Sequence, residues 1–284
     1  MKIGLGLPNQ VRNVRPETIP QWAAKAEEAG FSTLGTVGRY AYPGVSDTVT
    51  LAAAAGATST IGLFSHVMLA PVWPGELLAK ELAGIDGVSG HRLSLGLGIG
   101  GRPDDFVVDG YGMSGRGKRF DHDLETYRSI WNGDPVGGGV NPAVPAGTRQ
   151  IPLLFGGFSP AALGRMARVG EGYVGASMPA SMVAPSFEAA RAAWTEAGRS
   201  GQPRIVAIGY FALGAEDQGR ANVKDYYSFL GEEMSNGSAA GVSGSPEAVR
   251  EAVKEYEDLG ADEFILIGTT DDIDEVSRAA EIVF

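Results

Sequence analysis

Short apolar runs alternate with amphipathic, alanine-rich segments along the whole chain. The first apolar run covers residues 3–9, and the segment at residues 16–30 has apolar positions at helical spacing and ends at a glycine. This order predicts a β-strand followed by an α-helix. The alternation predicts three more strands in the first half of the chain, at residues 32–37, 61–69 and 92–100. The helices predicted between and after them begin at about residue 46 and cover residues 74–90 and 119–131.

The second half of the chain continues the alternation. Its four apolar runs lie at residues 151–155, 172–176, 204–213 and 263–268. Its best-defined helix is predicted over residues 245–260. Uninterrupted apolar runs of this kind are typical of parallel strands that are covered on both faces.

The number of these units predicts the fold class. About eight strand–helix units in a chain of 284 residues match the size and count of a TIM barrel. We therefore predict an α/β fold, a TIM (β/α)8 barrel built by a single domain over residues 1–284. A doubly wound sheet is the alternative, because the pattern does not reveal strand order. The glycine- and proline-rich segment 132–150 lacks periodicity and predicts a loop within this domain.

Composition narrows the classes of partner and site. The net charge of −11 would repel a phosphate backbone, so we expect no nucleic-acid partner. The chain has no cysteine, and no pair of its three histidines has metal-ligand spacing, so neither a disulfide nor a metal site is expected. It lacks an apolar run of the ~18 residues that a membrane span needs, and its N-terminus lacks a signal-peptide core. We expect a cytoplasmic protein without membrane contact.

In a TIM barrel, the chemistry takes place at the C-terminal ends of the strands. The sequence LLFGGFSP, residues 153–160, places Gly156, Gly157 and Ser159 between a strand and a helix start. Glycines would let an anion approach the backbone, helix N–H groups would point at it, and the serine hydroxyl would add a donor. The alternative is a tight βα turn in which the serine only caps the helix.

Two other strand ends carry candidate site residues. In LGLGIGGR, residues 95–102, Gly98 would let a flat ring lie close to the backbone and Arg102 could reach an anion, unless the glycines only serve strand packing. His66 lies toward the end of the strand predicted at residues 61–69, where it could face a cofactor. The alternative for His66 is a hydrogen-bonded core residue.

Five segments together resemble the bacterial luciferase-like family of flavin-dependent oxidoreductases, in order and over nearly the whole chain. They are AEEAGFSTL, LLAKELAGIDGVSGHRLSLGLGIGGRPDDF, RGKRFDHDLETYRSIWNGDP, PLLFGGFSPAALGRMARVGEGY and GADEFILIG. The resemblance implies a TIM-like barrel that binds FMN or the deazaflavin coenzyme at its C-terminal mouth. It also implies a homodimer formed through early helices, here those around residues 48–57 and 76–88.

The resemblance assigns cofactor roles to particular residues. It implies that Gly156, Gly157 and Ser159 hold the cofactor phosphate. It further implies a strand bulge with a non-proline cis peptide behind the flavin ring, near Ser65, His66 and Val67. His66 would then be a catalytic candidate, because a neutral imidazole can donate to a flavin or an oxygen-derived anion.

The end of the second predicted strand departs from the family pattern. Many members have an acidic residue and a histidine there, whereas this chain reads TVGRY, with Gly38 and Arg39. Arg39 cannot act as a base near neutral pH, so we expect it to hold an anionic substrate or intermediate. The alternative is a solvated loop charge. This departure weakens the case for the dehydrogenase chemistry of deazaflavin enzymes.

The sequence therefore predicts a flavin-dependent oxidoreductase, most concretely a monooxygenase that uses reduced FMN and oxygen on a small organic substrate. Such an enzyme also requires a supply of reduced flavin. One alternative is hydride transfer with the deazaflavin coenzyme. Another is a non-catalytic barrel that binds a flavin or has lost it.

Overall fold

The computed structural model describes residues 1–107 and 110–284, and its strands form a closed parallel barrel in chain order. The strands are β1 (Lys2–Gly6), β2 (Thr33–Thr36), β3 (Gly62–Leu69), β4 (Leu93–Gly98), β5 (Leu153–Gly156), β6 (Gly172–Val174), β7 (Arg204–Phe211) and β8 (Glu263–Gly268). Each strand pairs with the next in the chain, and β8 pairs with β1. The predicted TIM barrel is confirmed, and the doubly wound sheet is wrong because the sheet has no open edge.

Helices surround this barrel. They are α1 (Thr18–Glu28), α2 (Asp47–Ala57), α3 (Gly75–Val88), α4 (Arg116–Trp131), α5 (Pro160–Val169), α6 (Ala180–Glu196), α7 (Glu216–Tyr226), α8 (Glu232–Ala240), α9 (Pro246–Asp258) and α10 (Asp274–Val283). The sequence pattern indicated one helical stretch after each strand, but three helices follow β7. No helix of the described residues is long and apolar enough to cross a membrane.

The inside of the barrel is filled by side chains and is not a channel. Its buried residues include Phe64, Leu154, Val206 and Ile267. Gly6 faces this interior, and a Cβ there would lie 2.5 Å from Cδ1 of Ile267 on the neighbouring strand β8. The barrel is therefore close-packed in its centre, so a ligand can enter only at its ends.

An ion-pair cluster holds the opposite end of the barrel, where β4 and β5 begin. The buried carboxylate of Asp86 accepts hydrogen bonds from His91 Nδ1 at 2.7 Å and from Nε and Nη2 of Arg149 at 3.0 and 2.8 Å. Burial opposes its ionisation, but the hydrogen bonds from Arg149 and His91 outweigh it and lower the pKa of Asp86. His91 therefore stabilises the end of the barrel remote from the predicted site.

We expect Asp86→Ala to lower the free energy of unfolding by about 2–3 kcal/mol, because hydrogen bonds to a charged group are lost at a buried position. Urea denaturation at pH 7 measures this loss. Asp258→Ala is the matched control, because Asp258 pairs with Lys254 on the surface and its removal is expected to leave the midpoint unchanged. Equal midpoints for Asp86→Ala and the control would contradict a stabilising role for the cluster.

Candidate functional site

A cavity of about 610 Å³ opens at the C-terminal ends of the strands. Of the residues that the sequence indicated, the structure brings seven to its wall: His66, Val67, Gly98, Arg102, Gly156, Gly157 and Ser159. They come from β3, β4 and β5 and from the turns that follow β4 and β5. The cavity therefore has the position that barrel active sites occupy.

The turn between β5 and α5 presents free backbone donors to this cavity. The N–H groups of Gly157, Phe158 and Ser159 donate to no described residue. Gly157 has φ = +116°, a conformation that favours glycine. The Ser159 hydroxyl oxygen accepts the N–H of Ala162 at 3.2 Å and so caps α5, while its own proton stays available to a ligand. Together these donors have the arrangement with which helix N-termini bind anions, and we call them the candidate anion site.

A buried arginine that the sequence analysis did not single out lies beside this candidate anion site. Arg165 on α5 lines the cavity, and its guanidinium binds the Asp121 carboxylate through Nε at 2.8 Å and Nη2 at 3.0 Å. Asp121 Oδ1 also accepts a hydrogen bond from Nη2 of Arg168 at 3.2 Å. Arg165 and Arg168, the latter in the last turn of α5, share this one carboxylate.

A smooth apolar wall adjoins the candidate anion site. Val67 lies between two glycines: a Cβ on Gly156 would lie 3.1 Å from its Cγ1, and a Cβ on Gly98 would lie 2.8 Å from its Cγ2. The peptide bond between His66 and Val67 is cis, and the register of β3 shifts between Ser65 and Met68. The bulge and the cis peptide that the resemblance implied are therefore present, and Val67 lines the cavity.

His66 is held in one orientation behind this wall. Its Nε2 lies 3.0 Å from the carbonyl oxygen of Gly175, which can only accept, so Nε2 carries the proton. Burial lowers the pKa of His66 to about 4, although the hydrogen bond to Gly175 opposes this change. The ring is therefore neutral at pH 7, and its Nδ1 is a buried acceptor without a partner among the described residues.

Two of the predicted site residues do not line the main cavity. Ser65 is fully buried, and its hydroxyl donates to the carbonyl oxygen of Gly96 at 2.9 Å within the barrel wall. Arg39 binds Asp104 at 2.7 Å and lies 3.5 Å from Asp105, with only 5% of its side chain exposed. The alternative of a solvated loop charge is thus wrong for Arg39.

Arg39 instead lines a smaller neighbouring cavity of about 230 Å³. Gly38 belongs to the walls of both cavities, and a Cβ on Gly38 would overlap with the carboxylate of Asp47 at the start of α2. Burial raises the pKa of Asp47 to about 6. Because Gly38 has no side chain, the buried carboxyl of Asp47 can lie directly behind the wall of the main cavity.

The outer part of the main cavity is aromatic. Tyr226, Tyr227 and Phe229 line it, and all three follow β7. The guanidinium carbon of Arg102 lies 3.9 Å from the ring centroid of Phe229 and 4.9 Å from that of Tyr226. The sequence did not predict these rings at the site, because its pattern of apolar and polar residues indicated a single helical stretch after β7.

Solved structures with the same fold include enzymes that use different cofactors. The monooxygenase RslO1 from Streptomyces bottropensis is 24% identical with a TM-score of 0.78, over 99% of this chain and 97% of that one. An F420-dependent secondary alcohol dehydrogenase is 16% identical with a TM-score of 0.76, over 100% and 98% of the two chains. The oxygenating constituent of 3,6-diketocamphane monooxygenase from Pseudomonas putida, solved with FMN, is 16% identical with a TM-score of 0.74, over 100% and 96%. At these identities the likeness shows a common fold.

Sequence relatives and a family model complete the comparison. An uncharacterised protein of Mycobacterium tuberculosis is 32% identical over 179 residues, which are 51% of this chain and 61% of that protein. The model of the luciferase-like monooxygenase family matches residues 1–263. The chain therefore belongs to the luciferase-like monooxygenase family.

Proposed function

We propose that this protein is an FMN-dependent monooxygenase that acts on a small organic substrate. The proposal rests on one observation: the same cavity contains free backbone donors and a flat apolar surface. Free N–H groups at Gly157–Ser159 offer a site for a phosphate. The surface formed by Val67 between Gly98 and Gly156 offers a flat support for a ring.

The residues present fit this cofactor. The cavity of about 610 Å³ lies within the range of about 300–1,000 Å³ that is usual for sites of small ligands and cofactors. Arg165 lines the same cavity, and its guanidinium suits a phosphate, although Asp121 neutralises part of its charge. We therefore assign the phosphate to the start of α5 and the ring to the wall at Val67.

The chain's own groups would position and shield the reacting centre. When bound, reduced FMN would supply the electrons with which dioxygen is activated and one oxygen atom is transferred to the substrate. Val67 would support one ring face, and the neutral His66 behind it, fixed by Gly175, would hold this support in place. Phe229 and Tyr226 would exclude water from the outer part. His66 is fixed by Gly175, so it needs no reorganisation during the reaction.

The ionisable groups of the cavity favour oxygen transfer over deazaflavin-linked hydride transfer. Hydride exchange with an alcohol needs a group that exchanges the hydroxyl proton, and such a group works best with a pKa near the operating pH. Among the described residues that line the cavity, His66 has a pKa of about 4, and burial raises the pKa of Tyr226 and Tyr227. Asp47 lies behind Gly38 and does not line the cavity.

Separate titrations of the apoprotein with FMN and with the deazaflavin coenzyme F420, followed by absorbance, test the cofactor. We expect FMN to bind at least tenfold more tightly. Gly157→Val should weaken FMN binding at least tenfold, because a branched side chain at φ = +116° would meet Ala162 and obstruct the N–H groups. With FMN, a flavin reductase and NADH, a panel of small organic compounds should include one that is oxygenated.

Gly147→Val is the matched control for this variant. Gly147 also has a positive φ, +88°, but does not line the cavity, so FMN affinity should be unchanged. If the protein binds F420 more tightly than FMN and an alcohol reduces the bound F420, the protein is a hydride-transfer enzyme and the proposed monooxygenase function is wrong. If folded Gly157→Val binds FMN as tightly as the wild type, the phosphate does not bind at this turn.

We expect the imidazole of His66 to stay neutral down to about pH 5, because burial holds its pKa at about 4. Two-bond ¹H–¹⁵N spectra should show the Nε2–H tautomer, and His66→Gln assigns the signal. The pKa of His66 in the folded protein lies below its ordinary value of 6.5. The contribution of the neutral imidazole to the free energy of unfolding is therefore fully present above pH 6.5 and is lost as the pH falls toward 4. Between pH 6.5 and 4 the wild type should lose more stability than His66→Gln. An imidazolium signal at pH 6 would contradict this assignment.

We also propose a homodimer formed through α2 and α3. The exposed face of α2 has no charge and consists of Val49, Ala52, Ala53 and Gly56, all exposed or half-buried. On α3, Leu77, Gly84 and Val88 are also exposed, beside the charged residues Glu76, Lys80 and Glu81. Small and apolar residues on adjacent helices allow close approach of a second copy.

Light scattering at micromolar concentration should give twice the chain mass of 29.6 kDa. Ala52→Arg should give the mass of one chain, because a charge would be buried at the centre of the interface. Ala192→Arg, at an exposed alanine of α6, is the control and should remain dimeric. A wild-type mass of one chain would refute the dimer.

A further inference from the structure

One guanidinium in the main cavity has no ionic partner among the described residues. Arg102 is 9% exposed, lines the cavity, and has a buried Nε without a hydrogen-bond partner in the described chain. By contrast, Arg165 pairs with Asp121, and Arg39 pairs with Asp104. A buried charge that lacks a partner is costly, so a bound anion would stabilise Arg102 in this position.

The surroundings of Arg102 do not supply that negative charge. Its guanidinium carbon lies 3.9, 4.9 and 5.9 Å from the ring centroids of Phe229, Tyr226 and Tyr227. Burial raises the pKa of both tyrosines, so they remain neutral phenols at pH 7. The hydroxyl of Tyr227 is already engaged with Tyr210 at 2.9 Å.

The aromatic rings leave a buried donor of Arg102 available, because its Nε has no hydrogen-bond partner among the described residues, whereas another of its N–H groups interacts with the Tyr226 hydroxyl. An arginine that stacks on an aromatic ring uses its flat face, whereas its N–H groups lie in the guanidinium plane and can bind a carboxylate side by side. Three aromatic rings around the same guanidinium form an apolar surface suited to a flat ligand. The local chemistry therefore selects for a planar molecule that carries one negative charge.

The cavity has a separate place for each of two anions. One is the turn after β5, with the N–H groups of Gly157–Ser159, and the other is Arg102, after β4 and against residues that follow β7. FMN brings one phosphate, which the first place accommodates. Resting on the proposed function, we propose that Arg102 binds the substrate's negative charge, and that the substrates are planar organic anions such as aromatic carboxylates.

Binding of benzoate and of benzamide to the FMN-loaded protein tests this proposal, with the change in flavin absorbance as the signal. The two probes have nearly the same shape and differ in charge. We expect the wild type to bind benzoate at least tenfold more tightly than benzamide. Arg102→Gln should abolish this preference and leave FMN affinity within twofold, and Arg102→Lys should retain part of it. Arg12→Gln, at an exposed arginine outside the cavity, should keep the full preference.

Calorimetry with the apo form of Gly157→Val separates this proposal from the proposed function. Benzoate should still bind there, with the same preference over benzamide, even though the phosphate place is blocked. Equal affinities for benzoate and benzamide in the wild type would overturn the proposal, whether or not the variants fold. A preference that survives in folded Arg102→Gln would overturn it too. A tenfold loss of FMN affinity in that variant, with benzoate binding intact, would assign Arg102 to the cofactor instead.

Discussion

The pairing of β8 with β1 is the constraint on which the site depends. Residues from Lys2 to Gly6 lie in parallel register with residues from Glu263 to Ile267, and this pairing closes the sheet. In a closed parallel barrel all strands end at the same rim, so the turns after β3, β4 and β5 are brought around one opening. The packed interior, with Ile267 against Gly6, leaves a ligand no route deeper into the barrel. A ligand can therefore bind only at an end of the barrel, and the main cavity lies at this rim.

Local charge at this rim opposes the charge of the whole molecule. The chain carries a net charge of −11, yet no carboxylate of the described residues lines the main cavity, whereas Arg102 and Arg165 do. A cleft with low-dielectric walls concentrates the field of such charges. The net negative charge opposes the approach of large polyanions, whereas the proposed sites at the arginines would attract small anions. The net charge of the molecule and the local charge of the cavity together favour small anions over large ones.

Local signals made the fold and part of the site predictable. Each apolar run corresponds to one strand, and Gly156, Gly157 and Ser159 were visible because a strand, two glycines and a helix start follow one another directly. Arg165 lies on α5 at a position that looks like an ordinary helix-surface charge, so its burial against Asp121 depends on the packing of α4. The rings of Tyr226 and Phe229 reach the cavity only because helices after β7 fold over the mouth. Such long-range packing leaves no periodic trace in the sequence.

The end of β2 shows how a departure from the family pattern can be accommodated by packing. Many members carry an acidic residue and a histidine at this strand end, and this chain has Gly38 and Arg39. The Asp47 carboxylate occupies the space that a side chain on Gly38 would need, so a larger residue at position 38 would require Asp47 to move. Arg39 is meanwhile drawn away by Asp104 and Asp105. The buried carboxyl of Asp47, whose pKa is raised to about 6 by burial, thus lies behind this strand end and outside the main cavity. A residue larger than glycine at position 38 would therefore need a smaller residue at position 47 or a shift of the Asp47 side chain.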